Sequence, residues 1–377
     1  MRSVIVLDIG TQFAKALLFE TDENKQQENI KYFIKESCSE NIFLTCEKII
    51  KKILKKSKTK SPEILLGLNN EILKGKTVNL CFRRDYPETK IDLAELKYLI
   101  QKIEWKALDN IRKEFLKETE FKDTEIKLID AFITNIQIDN QEILDPIGAQ
   151  GQNICLSVYN IYTLSKWFDD FKKLFFDLKL KLIKLVPISY LLFRYLNLEK
   201  SQKGSALIVD IGSKATEITF IKNSGEVIET KNFHLGGQAF SRVLADFLKL
   251  DENIVEDVKI KYSKGEISSW AKKELEKLFA SNMSSWLSGV KIVFDDFLKD
   301  YKFLPNKIFI AGGGAKLPLI ESGLKKEKKF KVLNVSNLTE LENVSRLALK
   351  SFYLNLKEEH DIFSPIFKRV IKLIQNQ

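Results

Sequence analysis

The feature that most constrains this chain occurs twice. Near the start, Val4-Ile5-Val6-Leu7 runs into Asp8-Ile9-Gly10-Thr11-Gln12, and Phe13-Ala14-Lys15-Ala16-Leu17-Leu18-Phe19 follows. Roughly two hundred residues later, Ala206-Leu207-Ile208-Val209 runs into Asp210-Ile211-Gly212-Ser213-Lys214-Ala215-Thr216-Glu217, and a second alternating strand follows again. Apolar runs with β-branched residues predict strands. The tight turn between each pair aims backbone N–H groups and hydroxyls at one point, as a phosphate requires. A like hairpin in each half predicts a duplicated fold with a ligand between the halves.

The chain has 377 residues, enough for two or more domains. Its 44% apolar and 30% charged content is that of a soluble globular protein. Asp8 interrupts the first apolar run, which argues against a signal peptide. Leu185 to Phe193 is too short to span a bilayer. A net charge of +10 raises the question of nucleic acid. The densest basic run, Lys51 to Lys60, lacks the interleaved aromatics of a single-strand binding surface, so no nucleic-acid partner is expected. Cys38, Cys46, Cys81 and Cys155 show no Cys-x-x-Cys spacing, and a reducing cytoplasm is the expected setting. With only His234 and His360, a catalytic triad is not expected.

Between the hairpins, Glu40–Lys56 reads as an amphipathic helix and Glu63–Leu68 as a strand. A strand at Thr77–Phe82, a helix at Asp92–Trp105 with Asp92 and Glu95 spaced for a capping box, and strands at Ile126–Ile138 and Asn153–Tyr159 predict a small strand-helix-strand-strand domain. The Phe-rich stripe of Trp167–Leu178 reads as core. In the second half, Gly236-Gly237 precedes a helix at Ser241–Leu250, and Asp251–Leu304 is helical. A strand at Lys307–Ile310 then meets Gly312-Gly313-Gly314-Ala315, which predicts a close approach of backbone to a ligand.

Together these motifs resemble the phosphate-1, phosphate-2 and adenosine motifs of the actin/Hsp70/sugar-kinase superfamily, in that order. The resemblance implies an α/β fold of duplicated actin-like (ribonuclease H-like) domains with a small α+β insert. One half takes residues 1–75 and 160–199 around an insert at 76–159. The other takes 200–250 and 305–356 around a helical part at 251–304, with 357–377 as linker and terminal helix. It further implies ATP with Mg2+ as cofactor, Asp8 and Asp210 on the metal, and Gly10, Thr11, Gln12, Lys15, Gly212, Ser213, Lys214 and Thr216 at the phosphates. Gly236, Gly237, Glu256, Lys259 and Gly312 to Ala315 are implied at the nucleoside. Ser213, Lys214 and Ala215 stand where the family has Gly, Gly and Thr, and no Gln or Glu lies within Leu185–Tyr190 to orient a water, so hydrolysis is expected to be slow or absent.

Within the superfamily, the insert and the turn Asp145-Pro146-Ile147-Gly148 resemble FtsA, the cell-division actin, with the pilus protein PilM as the alternative. The tail adds a discriminator. After Ser364 and Pro365, suited to N-cap and first helical turn, Ile366, Phe367, Val370, Ile371, Leu373 and Ile374 fall on one face at about 100° per residue, opposite Lys368, Arg369 and Lys372. Such a helix suits an anionic membrane surface. The FtsA resemblance implies a self-associating protein on the cytoplasmic face of the membrane, tethering an FtsZ-like tubulin homologue.

Overall fold

A computed structural model describes residues 2–22, 27–38, 41–57, 59, 61–118, 125–198, 204–222, 227–326 and 330–335. The expected terminal helix at 366–374 lies outside the described residues, as does the expected helix around 344–356.

In chain order the first half holds β1 (Arg2–Ile9), β2 (Phe13–Asp22), β3 (Gln27–Ser37), α1 (Ile42–Ser57) and β4 (Glu63–Leu68). The insert follows as β5 (Leu73–Arg83), α2 (Leu93–Glu118), β6 (Ile126–Ile138), the short β7 (Gln141–Glu142) and β8 (Asn153–Leu164). The chain returns through α3 (Ser165–Asp177), β9 (Lys181–Pro187) and α4 (Ile188–Leu198). The second half comprises β10 (Ala206–Ile211), β11 (Thr216–Ile221), β12 (Val227–Phe233), α5 (Gly237–Leu248), α6 (Glu252–Lys264), α7 (Ser269–Tyr301), β13 (Lys307–Ala311), α8 (Pro318–Lys325) and β14 (Lys331–Asn334).

The duplication is present strand for strand. One sheet has the order β3-β2-β1-β4-β9, and the second half repeats it as β12-β11-β10-β13-β14. In both, the first three strands are antiparallel and the last two parallel. The near-continuous apolar runs of β1 and β10 follow from burial on both faces. Along β10 the alternation is visible: Ala206 and Ile208 join the core of the first half, while Leu207, Val209 and Ile211 face the core beneath α5 to α8.

The insert is the expected strand-helix-strand-strand unit. Its sheet runs β5-β8-β6-β7, and α2 covers it with Leu96, Ile100 and Ile103. Strands β5 and β8 extend beyond the expected limits of 76 and 159, pairing from Leu73↔Thr163 to Arg83↔Asn153. The capping box is half formed: Asp92 Oδ1 accepts from the Glu95 N–H at 2.7 Å, but the Glu95 carboxylate turns to Arg84 at 2.6 Å. The Asp145 turn forms, with the Asp145 carboxylate accepting from Ile147 N–H at 2.9 Å and Gly148 at φ +85. Register also places Cys81 opposite Cys155, and the two form a disulfide, a pairing that the cysteine spacing did not disclose.

Candidate functional site at the meeting of the two turns

Each hairpin closes with the same hydrogen bond. Gly10 N–H donates to Phe13 O at 3.1 Å, and Gly212 N–H donates to Ala215 O at 2.9 Å. A Cβ at either glycine would lie 3.0 Å from that same carbonyl, closer than nearly all real contacts. Glycine is favoured there by space and not by backbone conformation, since neither turn contains a residue at positive φ. Ser213, Lys214 and Ala215 occupy the second turn with none of them at positive φ, and the bond that closes it matches that of the first.

The turns face each other, with Lys214 N–H 3.4 Å from Thr11 Oγ1. Asp8 ends β1, is 5% exposed and pairs with Lys15 Nζ at 3.1 Å. Burial, together with the charge of Asp8, pushes the Asp210 carboxyl up to about 6, and Lys15 works against that rise. Two acids thus converge at the floor. The N–H groups of Gly10, Gly212, Gly237 and Gln238 already donate to backbone carbonyls, whereas among the described residues no hydrogen bond engages those of Thr11, Gln12, Ser213 and Gly313. The latter four are the amides left for an anion.

Behind the second turn, the glycine pair lets α5 end directly on it. Gly237 N–H donates to Gly212 O at 2.9 Å and Gln238 N–H to Ser213 O at 2.8 Å; a Cβ on Gly236 would come within 2.5 Å of Ser213 O. Lys259, 9% exposed, reaches Gly237 O at 3.1 Å, Ser241 Oγ at 2.7 Å and Glu256 Oε2 at 2.7 Å. Glu256 and Lys259 thus form an ion pair one turn apart on α6, joined to Ser241 of α5.

The three glycines after β13 have different tasks. Gly312 sits at φ +86 with its missing Cβ 2.3 Å from Asp210 Oδ1, Gly314 lies against Ile211, and Gly313 faces open space. Ala315 is buried, and its carbonyl accepts from Asn334 at 3.1 Å. Thr216 was expected at the phosphates, yet it is fully buried. Its hydroxyl donates to Leu235 O at 2.7 Å and accepts from Trp286 Nε1 at 2.9 Å, so it locks α7 to the sheet.

Several residues here escaped the sequence reading. Cys38 donates to Gly10 O at 3.1 Å, and burial with the nearby Asp8 charge pushes its thiol up to about 11. Glu217 stands on β11 opposite Asp210, and burial, with Asp210 second, pushes its carboxyl up to about 8. It accepts from Asn70 N–H of the first half at 2.7 Å. Thr216-Glu217 lay in the quoted motif, but nothing in the sequence points to Asn70. A cavity of about 330 Å3 opens beside the second turn, lined by Ser213, Lys214, His234, Gly236, Gln238 and Arg242 among others.

Paired acids, two hairpin turns, free amides and a glycine facing open space are together compatible with a magnesium–nucleotide. No family model matches the chain, and no curated protein matches it in sequence. Solved structures do match in fold. The PilM–PilN type IV pilus biogenesis complex aligns with TM-score 0.62 at 14% identity, over 92% of this chain and 95% of that one. The ethanolamine utilization protein EutJ from Carboxydothermus hydrogenoformans aligns with TM-score 0.51 at 13% identity, over 93% and 89%. MreB5 of Spiroplasma citri bound to ADP aligns with TM-score 0.50 at 12% identity, over 96% and 99%. With two sheets of one repeated topology and neighbours of this kind along nearly its whole length, the chain has the duplicated actin-like ATPase fold.

Proposed function

We propose that the chain holds ATP with Mg2+ between its two hairpins and serves as an actin-like scaffold that turns ATP over slowly or not at all. The meeting of the two turns over Asp8 and Asp210 carries this reading. In it Asp8 and Asp210 hold the cation through water, while Thr11, Gln12, Ser213 and Lys214 face the phosphates. Gly236, Gly237, Glu256, Lys259 and Gly312 to Ala315 flank the nucleoside. When bound, Mg·ATP supplies the charge that bridges the halves. Slow turnover is supported by two features. The β9–α4 junction offers Ser189 and Tyr190, both buried, and no carboxyl. Glu217 keeps its own proton at neutral pH, which makes it a poor base toward water. Isothermal titration with Mg·ATP, alongside phosphate release, tests this. Binding lost in Asp8→Asn with little release is expected; absence of binding, or release at the rate of a chaperone ATPase, overturns it.

The fold likeness to PilM in its complex with PilN supports a scaffold of pilus assembly. A second reading has its own support in the sequence of Ile366–Ile374: an FtsA-type protein that self-associates and ties an FtsZ-like partner to an anionic membrane from the cytoplasmic side. Co-sedimentation with anionic liposomes separates them. Binding that disappears on removing Pro365–Gln377 supports the division reading; no lipid binding by either form supports the pilus reading.

A further inference from the structure

Strand β5 belongs to the insert but continues the sheet of the second half, pairing with β12 at Lys76↔Glu229 and making nine strands in all. Only residues 69–72 separate β5 from β4, so whatever fastens β5 to β12 fastens the first half to the second. The fastening is substantial. Thr77 Oγ1 donates to Val227 O and Lys76 Nζ pairs with Glu229 Oε1 at 2.9 Å, while Tyr301 OH, from within the second half, holds Glu229 Oε2 in place at 2.7 Å. Asn70 adds its N–H to Glu217 Oε1 at 2.7 Å and its side-chain amide to Thr230 O at 3.2 Å. Asn70, Thr77, Glu229 and Thr230 are all under 9% exposed, so pulling the seam apart leaves buried polar groups without partners. Across the turns, Lys214 N–H makes an exposed contact of 3.4 Å with Thr11 Oγ1. The two halves share apolar core along β10 and are bolted by buried polar groups at the seam, whereas the contact between the turns is exposed. The bolts also reach the cleft, because Glu217 holds Asn70 and stands opposite Asp210.

We propose that the β5–β12 seam sets how far the cleft opens, so that the insert gates ligand exit from between the turns; this rests on the nucleotide reading above. A partner that pulls on the insert would then change how long the cleft holds its ligand. The test uses the full chain carrying Lys76→Cys with Glu229→Cys, two positions in direct register, so that one preparation can be compared cross-linked and reduced. Wild type under the same reductant controls for Cys81–Cys155. Stopped-flow release of a fluorescent ATP analogue is expected to slow about tenfold on cross-linking, the effect of about one buried hydrogen bond. Thr77→Val, which removes one bolt at nearly constant volume, is expected to speed release. Equal release from cross-linked and reduced protein, with the cross-link verified by mass, overturns the proposal. If wild type binds no analogue, the nucleotide reading fails by itself, and hydrogen exchange of the unliganded protein decides the seam. Faster exchange of both turns in the reduced double variant and in Thr77→Val supports it; unchanged exchange overturns it.

Discussion

Asp210 on β10 and Glu217 on β11 are direct register partners, so both carboxyls project from one face of the sheet toward the cleft floor. Burial is the main cause that pushes them up, to about 6 and about 8, and each lies in the field of another acid. An acid whose folded value exceeds its unfolded value keeps a proton that the unfolded chain releases. The stability it supports is complete at low pH and falls as pH rises. Between about pH 4.5 and pH 8 the protein should therefore lose stability through Glu217. In Glu217→Gln that loss is expected to shrink by on the order of 3 kcal/mol, measured by urea unfolding across this range.

Glu104 makes the same point inside the insert. It is fully buried on the inner face of α2 with neither carboxylate oxygen hydrogen-bonded, and burial, with the charge of Asp130 second, pushes it up to about 8. Glu104→Met keeps the volume and removes an unsatisfied group. It is expected to raise the melting temperature at every pH, and by most above pH 8.

Two adjacent glycines give a paired test. Gly312→Ala places a Cβ at positive φ and against the Asp210 carboxylate, and is expected to cost about 2 kcal/mol or more and to weaken nucleotide binding. Gly313→Ala meets open space and is expected to fold with unchanged stability. Thermal unfolding of both variants checks the contrast.

Lys259 is a buried cation with three partners. Lys259→Met leaves Gly237 O and Ser241 without their donor and Glu256 without its counter-charge, an expected loss of about 1–3 kcal/mol. Hydrogen exchange should rise at the start of α5, where Gly237 would lose its anchor.

The Cys81–Cys155 bond closes a sequence separation of 74 residues across two strands already paired. Peptide mapping without reductant should recover the two strands joined. Cys81→Ser with Cys155→Ser is expected to lower stability by about 2–4 kcal/mol.

Much of this architecture was legible because it rests on local pattern. Asp8 and Asp210 each follow a run buried on both faces, and such runs declare themselves. The insert announced itself through the Leu96, Ile100 and Ile103 face of α2 and through β6, whose ends were read correctly at Ile126 and Ile138. What stayed hidden depends on contacts between distant residues. Strand β12 carries the polar run Glu229, Thr230, Lys231 and Asn232; they are strand because β11 pairs all four and the seam takes up Glu229. Asn70 has no motif, and its role exists only once β11 and β12 stand beside it. The turn at Ser213 lacks the family's glycines, and its backbone contains no left-handed residue that would call for them.

Because Gly236 brings the first amides of α5 onto the carbonyls of Gly212 and Ser213, this helix cannot shift without the turn, nor the turn without the helix. The opposite end of the rod, with the start of α6, carries Phe247, Leu250 and Ile254, exposed at 67%, 46% and 55%. A displacement of the turn would thereby be carried along α5 to an exposed apolar corner.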